Sequence, residues 1–215
     1  MNHLRLNAYV ILKQSMATPN VYSYIARDFD RTRYAKWPCV NRFYQEHLTN
    51  DKFLIEVGCG NGKNIVQEYC VNYELCDVTL ELLEICKHKY ENTGITRCDC
   101  KHLPYRSKMF DIALCVAVIH HLDNYKLRVD AILELCRISK SIVFGTVWAY
   151  SENKKKKYHT QDALVPWTNK ETGERLYRYY HFFTHDEIRS ILEDIECERY
   201  ELYYEHDNWI FTIFI

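Results

Sequence analysis

Phe53-Leu-Ile-Glu-Val-Gly-Cys-Gly-Asn-Gly62 is a short apolar run that ends in three glycines spaced two apart. The run predicts a buried strand, and the glycines let the backbone turn tightly and come close to a ligand. A helix expected after Gly62 would point its first amides at that ligand. An ordinary turn is the alternative, so the surrounding chain has to decide.

Downstream, strand-like and helix-like segments alternate, the pattern of a mainly parallel sheet covered by helices. Tyr73 to Asp77 reads as a second strand, and Thr79 can cap a helix running to Tyr90. Gly94 to Cys98 is a third strand, and Phe110 to Val118 a fourth. A helix over Tyr125 to Ile138 sets Val129, Ile132, Leu133 and Cys136 on one face. Ser141 to Trp148 is a fifth strand. Thr184-His-Asp-Glu187 has the form of a capping box, opening a helix that ends near Asp194. Glu198 to Glu205 and Trp209 to Ile215 read as two final strands joined at His206-Asp-Asn208. Together these predict one α/β domain over 1–215, with a Rossmann-like, mostly parallel sheet of seven strands and helices on both faces. A helical region at about 19–50, with Pro38 tolerable at a helix start, would fold over the site as a lid. Residues 151–178, polar and lysine-rich, read as an irregular loop insertion.

The chain has 215 residues, 47% of them hydrophobic, enough to bury a core without metal or disulfides. Most of its ten cysteines lie in apolar runs, and none forms a Cys-x-x-Cys pair, so buried thiols in a reducing compartment are expected and no metal site. The start, Met1-Asn-His-Leu-Arg-Leu, lacks a long apolar signal region, and no stretch is long and apolar enough for a membrane span. A cytoplasmic protein is expected, with the nucleus open. With a formal net charge of −1, a nucleic-acid partner would need a local basic patch. Lys154-Lys-Lys-Lys157 is the dense positive run, either a solvated loop or a holder of phosphates.

Two acidic residues sharpen the glycine segment. Asp77 ends the second strand at the distance where a carboxylate accepts ribose hydroxyls, and Asp99 follows the third, where it can meet an adenine amino group. A dinucleotide site spaces its last two glycines three apart; here they are two apart and Glu56 precedes them. Glu-x-Gly-x-Gly-x-Gly is the pattern of S-adenosylmethionine enzymes. The expected cofactor contacts are therefore Glu56, Gly58, Cys59, Gly60, Gly62, Asp77, Val78, Asp99, Cys100 and Ala117. Methyl transfer from an activated sulfonium needs alignment and desolvation more than a nucleophile or a metal. Acceptor-positioning candidates are His120 and His121 after the fourth strand, Arg33 and Tyr34 with Trp37 in the N-terminal segment, and Arg178 to His181 near the insertion. Capping of a loop is the alternative reading of either histidine, and packing at a core edge that of the aromatics near charges. An arginine with aromatic neighbours suits an anionic, stackable acceptor.

The chain resembles the eukaryotic tRNA wobble-uridine methyltransferases that esterify 5-carboxymethyluridine, and the methyltransferase domain of the animal AlkB-type tRNA hydroxylase. The likeness runs from about Val21 to the C-terminus. It is carried by Val21-Tyr-x-x-Ile-Ala, Thr32-Arg-Tyr-x-x-Trp-Pro38, Glu56 to Lys63 and Val116-Ala-Val-Ile-His-His121. Gln161-Asp-x-Leu-Val-Pro-Trp167, Tyr177-Arg-Tyr-Tyr-His181 and Asp207-Asn-Trp209 add to it. The resemblance implies a carboxylate acceptor in the tRNA anticodon loop, clamped by Arg33, Arg178 and a histidine. It also implies a small zinc-ribbon activator as partner in a heterodimer, with any zinc in that partner. Three features depart from the pattern: the loop between Trp167 and Tyr177 is short, Ile138-Ser-Lys140 lacks the usual Gly-Gly turn, and Val78 stands where an arginine is expected. A small carboxylic acid or a protein is the alternative acceptor, and a catalytically inactive scaffold the alternative from another class.

Overall fold

A computed structural model describes residues 18–66, 72–170 and 172–215. The N-terminal region contains α1 (Thr18–Thr32) and α2 (Pro38–His47), the second opening with its proline in the first turn. There follow β1 (Phe53–Val57), β2 (Asn72–Asp77), α3 (Leu80–Lys89), β3 (Gly94–Arg97), β4 (Phe110–Val116), α4 (Tyr125–Ile138) and β5 (Ser139–Trp148). After them come α5 (Glu152–Tyr158), β6 (Asp162–Thr168), β7 (Arg175–His181), α6 (His185–Glu193), β8 (Arg199–Glu205) and β9 (Asn208–Phe214). The helix expected after Gly62 falls largely outside the described residues; positions 63–66 are turn and irregular chain.

Seven strands form one sheet in the order β3-β2-β1-β4-β5-β9-β8. The first five neighbours pair in parallel, whereas β9 runs antiparallel to β5 and β8 to β9. Alternation along each strand feeds two cores. Ile55, Val57, Ala113, Cys115, Val143 and Phe211 pack with α4 and α6. Leu54, Leu75, Ile112, Leu114 and Phe144 pack with Val40, Phe43 and Tyr44 of α2 and with Leu83 and Cys86 of α3. Burial on both faces explains why these strands read as continuous apolar runs. Cys39, Cys76, Cys86 and Cys115 serve here as small apolar groups.

Three expectations are corrected. The segment at 151–178 is regular: α5 is capped by Ser151, and β6 pairs with β7 as a separate antiparallel hairpin. Thr79 stands at the N-cap of α3 but its side chain makes no cap bond, because Asp77 takes its amide at 2.8 Å and its hydroxyl as well. The inward face of α4 is Arg128, Ala131, Ile132, Leu135 and Ile138, while Leu133 is 46% exposed. Arg128 reaches that face because Leu122 O and Glu187 receive its guanidinium. The Thr184 cap of α6, accepting from the Glu187 amide, is as expected.

α1 packs Val21 and Ile25 against Trp167 and Leu176 of the hairpin. The Trp167 indole donates to Asp28 at 2.8 Å. At its other end, Asn61 of the glycine loop donates to Asp30 at 2.8 Å and to Arg33 O at 2.9 Å. One helix thus bridges the glycine loop and the hairpin.

Where Gly145 of β5 pairs with Phe211 of β9 the sheet leaves no room for a side chain: a methyl group on Gly145 would lie 2.1 Å from Phe211 Cζ. Gly145→Ala is expected to cost about 1–3 kcal/mol in denaturant unfolding with ligand affinity of the folded fraction unchanged. Unaltered stability would show that the packing of Phe211 over this strand pair is looser than these distances imply.

Candidate active site

A cavity of about 540 Å³ opens at the carboxyl ends of β1 and β4. These strands are neighbours, and the chain winds away from them in opposite directions, the switch point where open α/β sheets bind ligands. Its floor is the glycine loop. Gly58 and Gly60 take φ of +70° and +57°, and a Cβ on Gly58 would meet Val118 Cγ2 at 2.3 Å. Gly62 serves packing instead: a Cβ there would lie 2.6 Å from Tyr90, whose hydroxyl donates to Gly62 O. Ala117, a non-glycine residue held at φ +62°, directly follows β4 at the cavity wall, with its amide bonded to Thr146. Such backbone strain gathers at ligand sites.

Carboxylates line one part of the cavity. Asp77 is buried and accepts the Gly60 amide at 2.9 Å, tying the glycine loop to the end of β2. Burial pushes its carboxyl up, and the amides of Thr79 and Gly60 pull it back. Asp99 faces the cavity while pairing with Lys101 at 3.0 Å. Glu56 is 1% exposed; Asn64 donates to Oε1 at 2.7 Å, and Oε2 has no partner among the described residues. Burial pushes this carboxyl up to about 7.

Arginine and rings line the opposite part. Arg178, on β7, is 6% exposed and sits over the rings of Trp167 at 5.0 Å and Tyr180 at 5.2 Å. Its Nη1 donates to the Tyr22 hydroxyl at 3.2 Å, and its buried Nε has no partner among the described residues. Tyr22 in turn lies 3.1 Å from His121 Nε2, and His121 Nδ1 lies 2.9 Å from the carbonyl of Tyr179. A carbonyl only accepts, so Nδ1 carries the proton and Nε2 accepts from Tyr22. Burial drives the His121 imidazole down to about 3 and His120 well below its ordinary value, so both rings are neutral at pH 7. His120 accepts the Trp148 amide and stacks on Tyr180.

The structure therefore brings together Arg33, His120, His121 and Arg178 with Glu56, Gly58, Cys59, Gly60, Asp77, Val78, Asp99, Cys100 and Ala117. Three expected residues lie off the cavity. Tyr34 is 80% exposed, because α1 ends at Thr32 and the chain turns outward. Gly62 packs under Tyr90. His181 falls on the opposite side of β7 from Arg178, where Asp162 and Glu187 hold its two nitrogens at 2.9 Å. Tyr180, within the expected Arg178 to His181 stretch, lines the site; Tyr22, Phe29 and Asn64 also line it and lie outside the expected set, and the seven-residue spacing of Tyr22 and Phe29 on α1 is the signal that marks them as one face.

Residues 55–142 match the methyltransferase-domain family. A tRNA (carboxymethyluridine(34)-5-O)-methyltransferase of Schizosaccharomyces pombe is 31% identical over 222 residues, covering 88% of this chain and 92% of that one. The Arabidopsis thaliana protein of the same name is 39% identical over 150 residues, 69% of this chain, which spans only 35% of that relative's length. Among solved structures, a Haloferax volcanii methyltransferase in complex with the Trm112 methyltransferase activator shares the fold, with a TM-score of 0.62 at 9% identity over 93% of this chain and 98% of that one. Sheet order, glycine loop and family match together define an S-adenosylmethionine-dependent methyltransferase of the Rossmann-like class. Within that class, the chain belongs to the tRNA (carboxymethyluridine(34)-5-O)-methyltransferase family.

The residues present fit the cofactor. Glu56 Oε2, buried and unpartnered, calls for a donor, and a cationic amino group is a strong one. Binding such a group requires the ionised carboxylate, so cofactor affinity is expected to rise as the pH climbs through about 7 and to level off above it, as Glu56 loses its proton. Glu56→Gln would flatten that dependence in calorimetry. A wild-type affinity that does not change with pH would contradict the assignment.

Proposed function

We propose that this chain methyl-esterifies the carboxylate of 5-carboxymethyluridine at the wobble position of tRNA, working with a small zinc-ribbon activator. The observation that carries the acceptor half is Arg178. With Nη1 spent on Tyr22, the Nε–Nη2 edge has no hydrogen bond among the described residues. That edge presents two parallel N–H groups matched to a carboxylate. The rings around it offer stacking faces for a base, as splayed-out RNA bases require. Lys154 Nζ, 4.0 Å over Trp148 at the cavity edge, adds positive charge on the side where a polyanion would arrive.

Glu56, Asp77, Asp99 and the glycine loop hold the cofactor in this reading, which supplies a methyl group already activated by its sulfonium. What the chain provides is alignment and exclusion of water. A carboxylate is ionised at neutral pH, so no proton has to be removed, in keeping with two histidines that are both neutral. His121 fixes Tyr22, and Tyr22 fixes Arg178. The activator is supported by the Haloferax volcanii protein of the same fold, which is held with one, and by the sequence resemblance.

The test uses anticodon stem-loop RNAs carrying 5-carboxymethyluridine or its uncharged amide, 5-carbamoylmethyluridine, with nucleoside mass spectrometry as the readout. Ester is expected only on the carboxylate, with more product when the activator is present. Arg178→Lys, which keeps the charge but loses the fork, should lower kcat/KM by roughly a hundredfold, about 3 kcal/mol, and leave cofactor affinity intact. Failure to esterify the carboxylate RNA, by protein shown to bind cofactor, would refute the proposal.

A further inference from the structure

Two guanidiniums meet at one indole. Arg33 Cζ lies 4.8 Å and Arg178 Cζ 5.0 Å from the centroid of Trp167, and both side chains line the cavity. Their surroundings differ. Arg178 is buried beneath rings; Arg33 is exposed at the rim, where its described hydrogen bond goes to the neighbouring Thr32 carbonyl. The acidic residues of α1 are already committed: Asp28 to Arg31 and Trp167, Asp30 to Lys89 and Asn61. Arg33 therefore has no carboxylate ion pair among the described residues. Half-buried Lys63 also lines the cavity, between the attraction of the Glu56 carboxylate and a weaker repulsion from Arg33, with its ammonium over Trp37 at 5.4 Å. Arg33, which lacks such a carboxylate among the described residues, is the cation at the cavity mouth that an arriving anion would stabilise most, with Lys63 adding to the field.

A nucleotide acceptor brings two anions. On an anti pyrimidine nucleotide, a substituent at C5 lies on the same side as the 5′-phosphate, so the base carboxylate and the phosphate are neighbours. Resting on the acceptor reading above, we infer that the two arginines divide them: buried Arg178 takes the base carboxylate, and Arg33, with Lys63, takes the 5′-phosphate of the same nucleotide. Trp167, fixed by its bond to Asp28, is the wall that sets their separation. The division follows the physics of each position. A desolvated fork discriminates a carboxylate from an uncharged group, whereas an exposed guanidinium serves a phosphate that every RNA carries. Arg178 thus reads the modification, and Arg33 places the nucleotide.

The full chain, with S-adenosylhomocysteine present, is titrated with stem-loop RNAs carrying either 5-carboxymethyluridine or uridine at the target position. Wild type is expected to prefer the carboxylate RNA. Arg33→Ala should weaken both RNAs about tenfold, keep the preference, and reduce the salt slope by about 0.7, one phosphate on a single strand. A neutral methylphosphonate 5′ to the target should cost wild type a similar factor and cost Arg33→Ala clearly less, since Lys63 alone then faces that phosphate. Arg178→Lys should abolish the preference while binding uridine RNA like wild type; retained cofactor binding reports that each variant is folded. The inference is overturned if Arg33→Ala erases the preference, leaves both affinities unchanged, or responds to the methylphosphonate as strongly as wild type. A wild type indifferent to the carboxylate would overturn the acceptor reading itself, and the division with it.

Discussion

A guanidinium buried with no carboxylate beside it is costly, and the acceptor half of this protein is built around holding one. Arg178 loses most of its hydration at 6% exposure. The faces of Tyr22, Trp167 and Tyr180 return part of that as cation–π attraction, and the Tyr22 hydroxyl accepts one of its donors. What these contacts leave unsatisfied is directional, the Nε–Nη2 edge. An incoming carboxylate completes the site, so binding energy and acceptor selectivity come from the same interaction. Keeping Arg178 in place requires α1, the β6–β7 hairpin and the loop after β4 together, since Tyr22, Trp167 and His121 come one from each.

The cofactor half follows the opposite logic. Glu56, Asp77 and Asp99 surround the glycine loop, and burial raises the first two toward their neutral forms. The cavity is thus acidic where a cationic cofactor belongs and basic where an anionic acceptor belongs. Asn61 couples the halves, because it bonds both Asp30 of the helix that carries Tyr22 and the carbonyl of Arg33 just beyond that helix. No residue has to act as acid or base in this arrangement. Two neutral histidines between the halves act as spacers and hydrogen-bond partners.

Much of the architecture was legible in the sequence because its signals are local. A strand running into spaced glycines, acidic residues at successive strand ends and a capping box at Thr184 each need only a few residues. The hairpin at 162–181 escaped because its inward positions are Ala163, Val165 and Trp167 opposite Leu176, Arg178 and Tyr180. Its period of two is present, but an arginine facing inward and a lysine-rich neighbour hide it. The same disguise shifted α4, whose inward Arg128 is paired with Glu187. Tyr22 could not be assigned to the site, since its partners His121 and Arg178 are 99 and 156 residues away. Tyr34 and His181 show the converse: adjacency to a site residue places a side chain nowhere when a helix ends or a strand alternates.

The central claim is that the acceptor is held, already ionised, by a cation and needs no base. The direct measurement is kcat against pH for the carboxylate RNA at saturating cofactor. The account gives a plateau from about pH 6 upward, falling only as the acceptor carboxyl protonates near 4. A limb near pH 6.5 that vanishes in a His121→Asn or His120→Asn variant would show that an imidazole moves a proton in the reaction, and would contradict it.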